Sequence, residues 1–302
     1  MHHLLTLILL RLLPSIFQFE SDLKISEVEK WKLGWRMVIS SMDKNYELGE
    51  HQFDSLLATK SKIDKKFILT GLQILKKRNK EEKFNLILKG LDGETLELLC
   101  SKKLINNSSA EFEYCKNFNH DVSNPELQLE LIKMYINDQV SRGGKIEDII
   151  TRYRLKKEEV IKANDAVAID QENRDKLKVI FTKYGFPTKK MVGSDAMNGI
   201  FLMIQHSDGD KVWQKSQLSN IERAVKSGDM DGQSYAYLYD RIKINNGEKQ
   251  LYGTQFAKVD PINKIAELAA TEDLENLDRR RMKIGMMPIE TYRAFMLKSA
   301  QQ

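Results

Sequence analysis

The residues that could do chemistry gather in the second half of the chain. Gln205-His206-Ser207-Asp208 is followed by Tyr237-Leu-Tyr-Asp240-Arg241 and then by Gln250-Leu-Tyr252-Gly-Thr-Gln255. An imidazole near carboxylates is the raw material of general acid/base catalysis, with His206 as the proton carrier and Asp208 or Asp240 to orient it. Arg241 could then hold a polar or anionic substrate. At offsets of three and four on a helix, Tyr237, Asp240 and Arg241 share one surface and could form a single hydrogen-bonded group. The 250–255 run offers neutral donors and acceptors from Gln250, Tyr252 and Gln255, which suits positioning a ligand and equally suits a well-bonded structural loop.

Those side chains need helices to place them. After Gly193 and the capping residue Ser194, apolar residues from Ala196 to Ile204 recur at helical spacing, which predicts a buried helix over 194–207. Asp195 and His206 fall on one side of it, but 11 residues of helix separate them by about 16 Å, so they cannot touch. Lys211 to Ser227 reads as one amphipathic helix closed by Gly228, and Asp231 to Ile244 as the next. Asn246-Gly247 is a turn signal, and Val259 to Ile262 reads as an extended connector. The arginines 279–281 on a final helix point in different directions, so a solvated face is expected, with a tie to a carboxylate as the alternative.

Upstream, Asn117 to Pro125 is a polar joint, and Pro125 suits the first turn of a helix running to Ser141. Asp138 and Arg142 lie four apart on it with Gln139 beside them. Residues 146–180 supply one long or two broken helices. Between Ser21 and Lys116, short amphipathic runs alternate with charged joints, which predicts an array of helical hairpins weakly resembling tetratricopeptide-type repeats. The fold expected is therefore all-α: residues 20–120 a hairpin region, residues 121–302 a multi-helix domain with an irregular or β-like loop near Gln250–Gln255.

The run of Met134-Tyr-Ile-Asn-Asp138-Gln139-Val-Ser-Arg142, Asp170-Gln-Glu-Asn173, Tyr184-Gly-Phe186-Pro187 with Val192-Gly193, the three motifs named first, Glu275-Asn-Leu-Asp278-Arg-Arg-Arg281 and Ile284-Gly-Met-Met-Pro288 with Tyr292 resembles a bacterial family known only as a domain of unknown function, number 6624. The family commonly has tryptophan where this chain has Phe186. The resemblance covers roughly residues 126–298 and implies a domain without implying an activity. It adds Asp138, Gln139 and Arg142 to the ligand-binding candidates Asp195, Gln205, Tyr237, Gln250, Tyr252 and Gln255, beside the catalytic candidates His206, Asp208, Asp240 and Arg241.

Composition excludes several functions. The chain has 302 residues, 41% hydrophobic and 30% charged, with a formal net charge of +5. Its lysines are dispersed among acids, so no nucleic-acid footprint is expected. There is no phosphate-binding glycine loop, dinucleotide fingerprint or nucleophile elbow. His206 is the one histidine in residues 126–302, which rules out a multi-histidine metal site there; a carboxylate-rich cation site using Asp195, Asp208 or Asp240 remains open. No metal or cofactor is expected. Leu4 to Leu13 is too short to span a bilayer and has the length of a signal h-region, so residues 1–19 suggest export to the periplasm or medium, with a cytoplasmic protein as the alternative. Cys100 and Cys115 could pair or remain free thiols.

Two readings follow. In one, an exported helical protein uses these residues to bind a polar ligand or a protein partner, or as a buried network, without turnover. In the other, His206 is the acid/base of an enzyme acting on a polar or anionic small substrate. The absence of a visibly activated nucleophile favours the first.

Overall fold

The computed structural model describes residues 25–93, 95–96, 99, 122–144, 146–161 and 165–301. The signal-like residues 1–19, both cysteines and His120 lie outside them, as does most of the helix expected over 95–104. The protein is mostly helical, and the chain divides into two compact units at Asn119/His120.

The described residues of the first unit include the helices α1 (Glu27–Met42), α2 (Tyr46–Ala58), α3 (Lys65–Lys77) and α4 (Glu81–Lys89). Each is short enough to need its apolar face covered by a neighbour. Helix α1 packs on α2 and α3, and α3 on α4, around Phe53, Leu56, Leu72, Ile74, Leu75 and Leu88. Local chemistry fixes the starts. Ser26 and Glu29 form a reciprocal capping box on α1, and Asn45 accepts from the Leu48 amide, which starts α2 at Tyr46.

The second unit is built on α5 (Pro125–Val140) and α9 (Lys189–Gln205), its most extensively packed helix pair. Pro125 occupies the first turn of α5, where its missing N–H costs nothing, and Asn124 accepts from the Leu127 amide at 3.1 Å. Between the two come α6 (Glu147–Tyr153), the single turn α7 (Lys157–Val160) and α8 (Ala166–Tyr184), so the 146–180 run is three pieces. Leu131, Ile132 and Ile136 of α5 interleave with Ala196, Ile200 and Ile204 of α9 and Leu177 of α8 in one buried core.

Helix α9 begins at Lys189, capped by Thr188, five residues before the predicted start. The predicted break is nonetheless present as a kink. Gly193 has φ 81° and ψ 166°, and a Cβ there would stand 2.8 Å from the Gln128 amide nitrogen. Helical geometry resumes at Ser194. Further along, Gly199 faces Tyr135 of α5, where an added Cβ would lie 2.7 Å from the tyrosine Cβ. The absence of a side chain at 199 thus sets how closely the two helices approach.

The expected single helix over 211–227 is two: α10 (Lys211–Ser216) and α11 (Leu218–Lys226), jointed at Gln217. Gln217 is buried, and its amide donates to Ser216 Oγ at 2.9 Å while its carbonyl oxygen accepts from Asn220 at 2.8 Å. The same side-chain amide reaches the Trp213 backbone oxygen at 3.4 Å, the acceptor a continuous helix would give to the Gln217 N–H, which bonds Gln214 instead. Helix α12 (Gly232–Asn245) leads into the 250–255 loop. After it the extended connector proves to be half of a hairpin, β1 (Phe256–Asp260) antiparallel to β2 (Ile265–Leu268), the one sheet among the described residues. Helices α13 (Leu277–Lys283) and α14 (Ile289–Ser299) finish the chain, with α14 on the hairpin.

Because the α5–α9 contact is already closed to van der Waals limits, Gly199→Ala is expected to force the helices apart and destabilise the protein by about 1–3 kcal/mol. Urea unfolding with an unchanged m-value would register this, and an unaltered midpoint would show the contact to be slack.

Candidate functional site

Helix α5 ends with Asp138 turned wholly inside, its side chain 0% exposed. A carboxylate so placed must be hydrogen-bonded on both oxygens. His206, the residue that closes α9, brings Nδ1 to 2.8 Å from Asp138 Oδ1. Arg142, just past the end of α5, folds back so that Nη1 donates to Oδ1 at 3.3 Å and to the Asp138 backbone oxygen at 3.0 Å. Gln139 Nε2 donates to Oδ2 at 2.8 Å. The other arm of the Arg142 guanidinium pairs with Asp170 Oδ1 on α8.

The imidazole has one edge in and one edge out. Nδ1 faces Asp138, whereas Nε2 has no protein partner among the described residues and is not sealed off, the side chain being 16% exposed. An acceptor on Nδ1 fixes which nitrogen carries the proton, leaving Nε2 with its lone pair toward solvent. Burial holds the Asp170 carboxyl above the ordinary carboxylate value, and its bond to Arg142 only partly offsets that.

Asp138, Asp170 and His206 also bring possible metal-donor atoms within 4.8 Å of one another. The Arg142 guanidinium bridges both carboxylates, however, and so supplies the positive charge that a divalent ion would bring. A metal there would have to displace that arginine.

The other sequence candidates do not join His206. Asp208 accepts from Arg241 Nε at 3.0 and 3.1 Å and from Nη2 at 2.5 Å, and also from Gln214 and Asn245, each at 3.0 Å. Gln205 takes part through its backbone oxygen, which accepts from Gln214 at 2.9 Å. Burial works to raise the Asp208 carboxyl, but Arg241, Gln214 and Asn245 outweigh it and hold the group below the usual range.

Asp240 is fully buried and faces the other way, accepting the backbone N–H groups of Leu251, Tyr252 and Thr254 at 2.8–3.2 Å. Desolvation nevertheless leaves its carboxyl above the ordinary value, with those three amides pulling it down. Tyr237 donates to Tyr292 at 3.2 Å. The single Tyr237–Asp240–Arg241 group that helical spacing suggested is therefore three separate contacts, because each side chain finds a closer partner on a different element.

The 250–255 loop is bonded mostly to itself and to the arginines of α13. Gln250, 0% exposed, donates to the backbone of Gln255 and Ala269 and accepts from the Gln255 amide at 2.8 Å. Gln255 Nε2 donates to Thr254 Oγ1. Gly253 takes φ 66° and lets Leu277 and Ile289 close over it. Arg280 Nε donates to the Leu251 oxygen at 2.9 Å, and the fully buried Arg281 Nη1 to the Tyr252 oxygen at 2.5 Å. These two arginines bind backbone carbonyls, neither a water-facing surface nor chiefly a carboxylate. Burial pushes the Arg281 guanidinium below its ordinary value. Asp195, finally, accepts from Arg152 at 2.5 Å and from Tyr153 at 3.2 Å on α6, away from His206.

The model of a family described as "Family of unknown function (DUF6624)" matches residues 125–301, more than half of the chain. The chain belongs to this family. Its matched segment starts at the first residue of α5 and takes in all three carboxylate centres, so the family region and the second unit nearly coincide. No curated protein and no solved structure matches the chain.

Sequence spacing placed Asp138, Gln139 and Arg142 together but gave no sign of His206 as their partner, 68 residues on. Asp170 entered only through a motif, and Arg174, one turn further along α8, gave no signal at all. Its environment does. The side chain is 13% exposed, Nε is buried without a partner, and the nearest carboxylate is that of its own neighbour Asp175 at 4.0 Å.

Two outcomes follow for the flanking centres. A carboxyl held below its unfolded value of 3.8 contributes stability above that pH and loses it as pH falls through the lower folded value. Asp208→Asn should therefore melt below wild type at neutral pH, with the gap closing in acid; a gap that persists at low pH would mean the loss is steric. Asp240→Ala should cost about 2–5 kcal/mol, since it strands three buried amides. Denaturant melts of that variant showing a loss under 1 kcal/mol would mean water replaces the carboxylate.

Proposed function

We propose that this protein is an enzyme in which His206 acts as a general base through Nε2. The observation that carries the reading is the asymmetry of the ring: a fully buried carboxylate on Nδ1 and no protein partner on Nε2. A histidine kept for structure alone tends to spend both nitrogens, because an idle one forgoes a hydrogen bond. Here one nitrogen is committed and the other is left facing solvent.

The roles divide by contact. Asp138 orients the imidazole and stabilises the imidazolium that forms when Nε2 takes a proton. Arg142 and Gln139 position Asp138, and Asp170 anchors Arg142. With no activated side-chain nucleophile beside Nε2, the proton removed is that of water or of the substrate itself, which makes hydrolysis of a polar small substrate the simplest chemistry. Nε2 accepts a proton from water, the oxygen attacks the electrophilic atom of the substrate, and the same nitrogen returns the proton to the leaving group.

The non-catalytic reading keeps support for part of the second unit. Asp208 with Arg241, and Asp240 with the 250–255 loop, have their bonding capacity spent inside the protein, as a structural network would. In the proposed enzyme these centres hold the end of α9 and the 250–255 loop in place and touch no substrate. Export remains open on the sequence of residues 1–19 alone, and no described helix is long and apolar enough to cross a membrane.

The test is a screen of the full chain against activated carboxylic and phosphoric esters and amides. His206→Gln is expected to lower turnover by about 10²–10⁴-fold with unchanged circular dichroism, and Asp138→Asn to lower it as well by releasing the ring. Equal turnover in wild type and folded His206→Gln would remove the base from this site.

A further inference from the structure

An arginine rarely enters a protein interior without company. Its guanidinium carries five N–H donors and a permanent charge, and it reaches folded interiors paired with carboxylates or carbonyls. Every other largely enclosed arginine of the second unit obeys this. Arg142 holds Asp138 and Asp170, Arg241 holds Asp208, Arg280 holds Asp273 and Leu251, and Arg281 holds Met287, Tyr252 and Gly253. Arg174 does not. With 13% of its side chain exposed it makes no hydrogen bond among the described residues, its buried Nε is unpartnered there, and Asp175 at 4.0 Å is itself 60% exposed and only loosely engaged.

Its position matters as much as its solitude. Arg174 lies four residues beyond Asp170 on α8, hence on the same helix face and about 6 Å along the axis. Asp170 belongs to the His206 cluster. The guanidinium of Arg174 extends over the turn that follows His206, where a Cβ on Gly209 would stand 3.3 Å from Nη1. Asp210 in that turn feels the charge of Arg174 but gives its hydrogen bonds elsewhere, accepting from Lys178 Nζ at 2.9 Å and from the Trp213 amide at 3.0 Å. A cation with free donors thus stands over the turn that leads away from His206, whose imidazole keeps one nitrogen free.

We propose that Arg174 binds an oxyanion, a phosphate or carboxylate group, of the substrate whose reacting bond lies at His206 Nε2. This rests on the general-base reading of His206 and adds the substrate class: a small anionic compound, gripped by its charged end at Arg174 and presenting its reacting bond to Nε2. The fork of N–H groups suits two oxygens at once, which a lysine would not. Gly209 leaves the space for those oxygens beside Nη1.

The experiment uses the full chain with inorganic phosphate, then acetate, each against sodium chloride of equal ionic strength so that general screening cancels. Two quantities are read: the melting temperature, and the rate at which diethyl pyrocarbonate acylates His206, followed on its own peptide by mass spectrometry. Wild type is expected to gain about 3 °C with phosphate in several-fold excess over its dissociation constant. It should also show slower acylation at His206. Arg174→Gln should lose both effects and Arg174→Lys keep a part. If Arg174→Gln fails to fold, Gly209→Val, which crowds Nη1 without removing the charge, should abolish the same two effects. A phosphate effect stronger than that of acetate assigns a phosphorylated substrate, and the reverse a carboxylate. No effect from either anion, or an equal effect in wild type and Arg174→Gln, overturns the proposal. The two readings fail separately: an Arg174-dependent rise in melting temperature with a His206→Gln variant that still turns over would sink the base and keep the anion site, whereas His206-dependent turnover with no anion effect would do the opposite.

Discussion

A carboxylate with no contact with solvent governs the second unit. Asp138 is fully buried near the end of α5, and its charge has to be met there by hydrogen bonds. Three neighbours meet it: Gln139 and Arg142 from its own stretch of chain, and His206 from the end of α9. The first two follow from helix geometry. The third requires α9 to lie close alongside α5 and to stop at the right residue. Gly199 against Tyr135 secures the closeness. The Asp208–Arg241 pair, immediately after the helix ends, ties that end to α12.

The order of events along the chain reflects the same demand. Two helices of sixteen and seventeen residues meet at their C-terminal ends, and the connection between them carries α8, which contributes Asp170 to the cluster. Negative and positive groups alternate in Asp170, Arg142 and Asp138, and the imidazole completes the row through its hydrogen bond at Nδ1. Such a chain of paired charges is costly to desolvate and is stable only when complete. It opens to solvent at Nε2 of His206 and, at the other end, at the part-exposed Asp170.

The helices and the turns between them were legible because they rest on local signals. Periodicity over 125–140, the capping residues and the Asn246-Gly247 turn acted where they stood in the sequence. Errors arose where the deciding contact was remote. Helix α9 started early because Thr188 was available as a cap, and the 211–227 run broke because Gln217 spends its side chain on its neighbours. The site was half legible in the same sense. Asp138, Gln139 and Arg142 share one helix end, and His206 stood out by its type, but nothing local joins residues 68 apart. The spacing of Tyr237, Asp240 and Arg241 was real as geometry. It misled because neighbours on a helix need not be partners, and each of the three had a stronger claim elsewhere. Arg174 was invisible for the opposite reason, since a lack of partners is a property only of the folded chain.

The binding of the 250–255 loop has a bearing on how the C-terminal segment behaves as a mechanical part. Asp240 grips the loop through its amides from one side, while Arg280 and Arg281 grip it through its carbonyls from the other. The exposed turn of the hairpin, where Ile262 is 90% open to solvent, lies between the loop and those arginines in the chain. Covalent continuity across that turn is therefore not what keeps α13 and α14 attached. A protease that cut at the hairpin tip would leave a nicked molecule whose two pieces remain joined, as a clasp still holds when its hinge is severed.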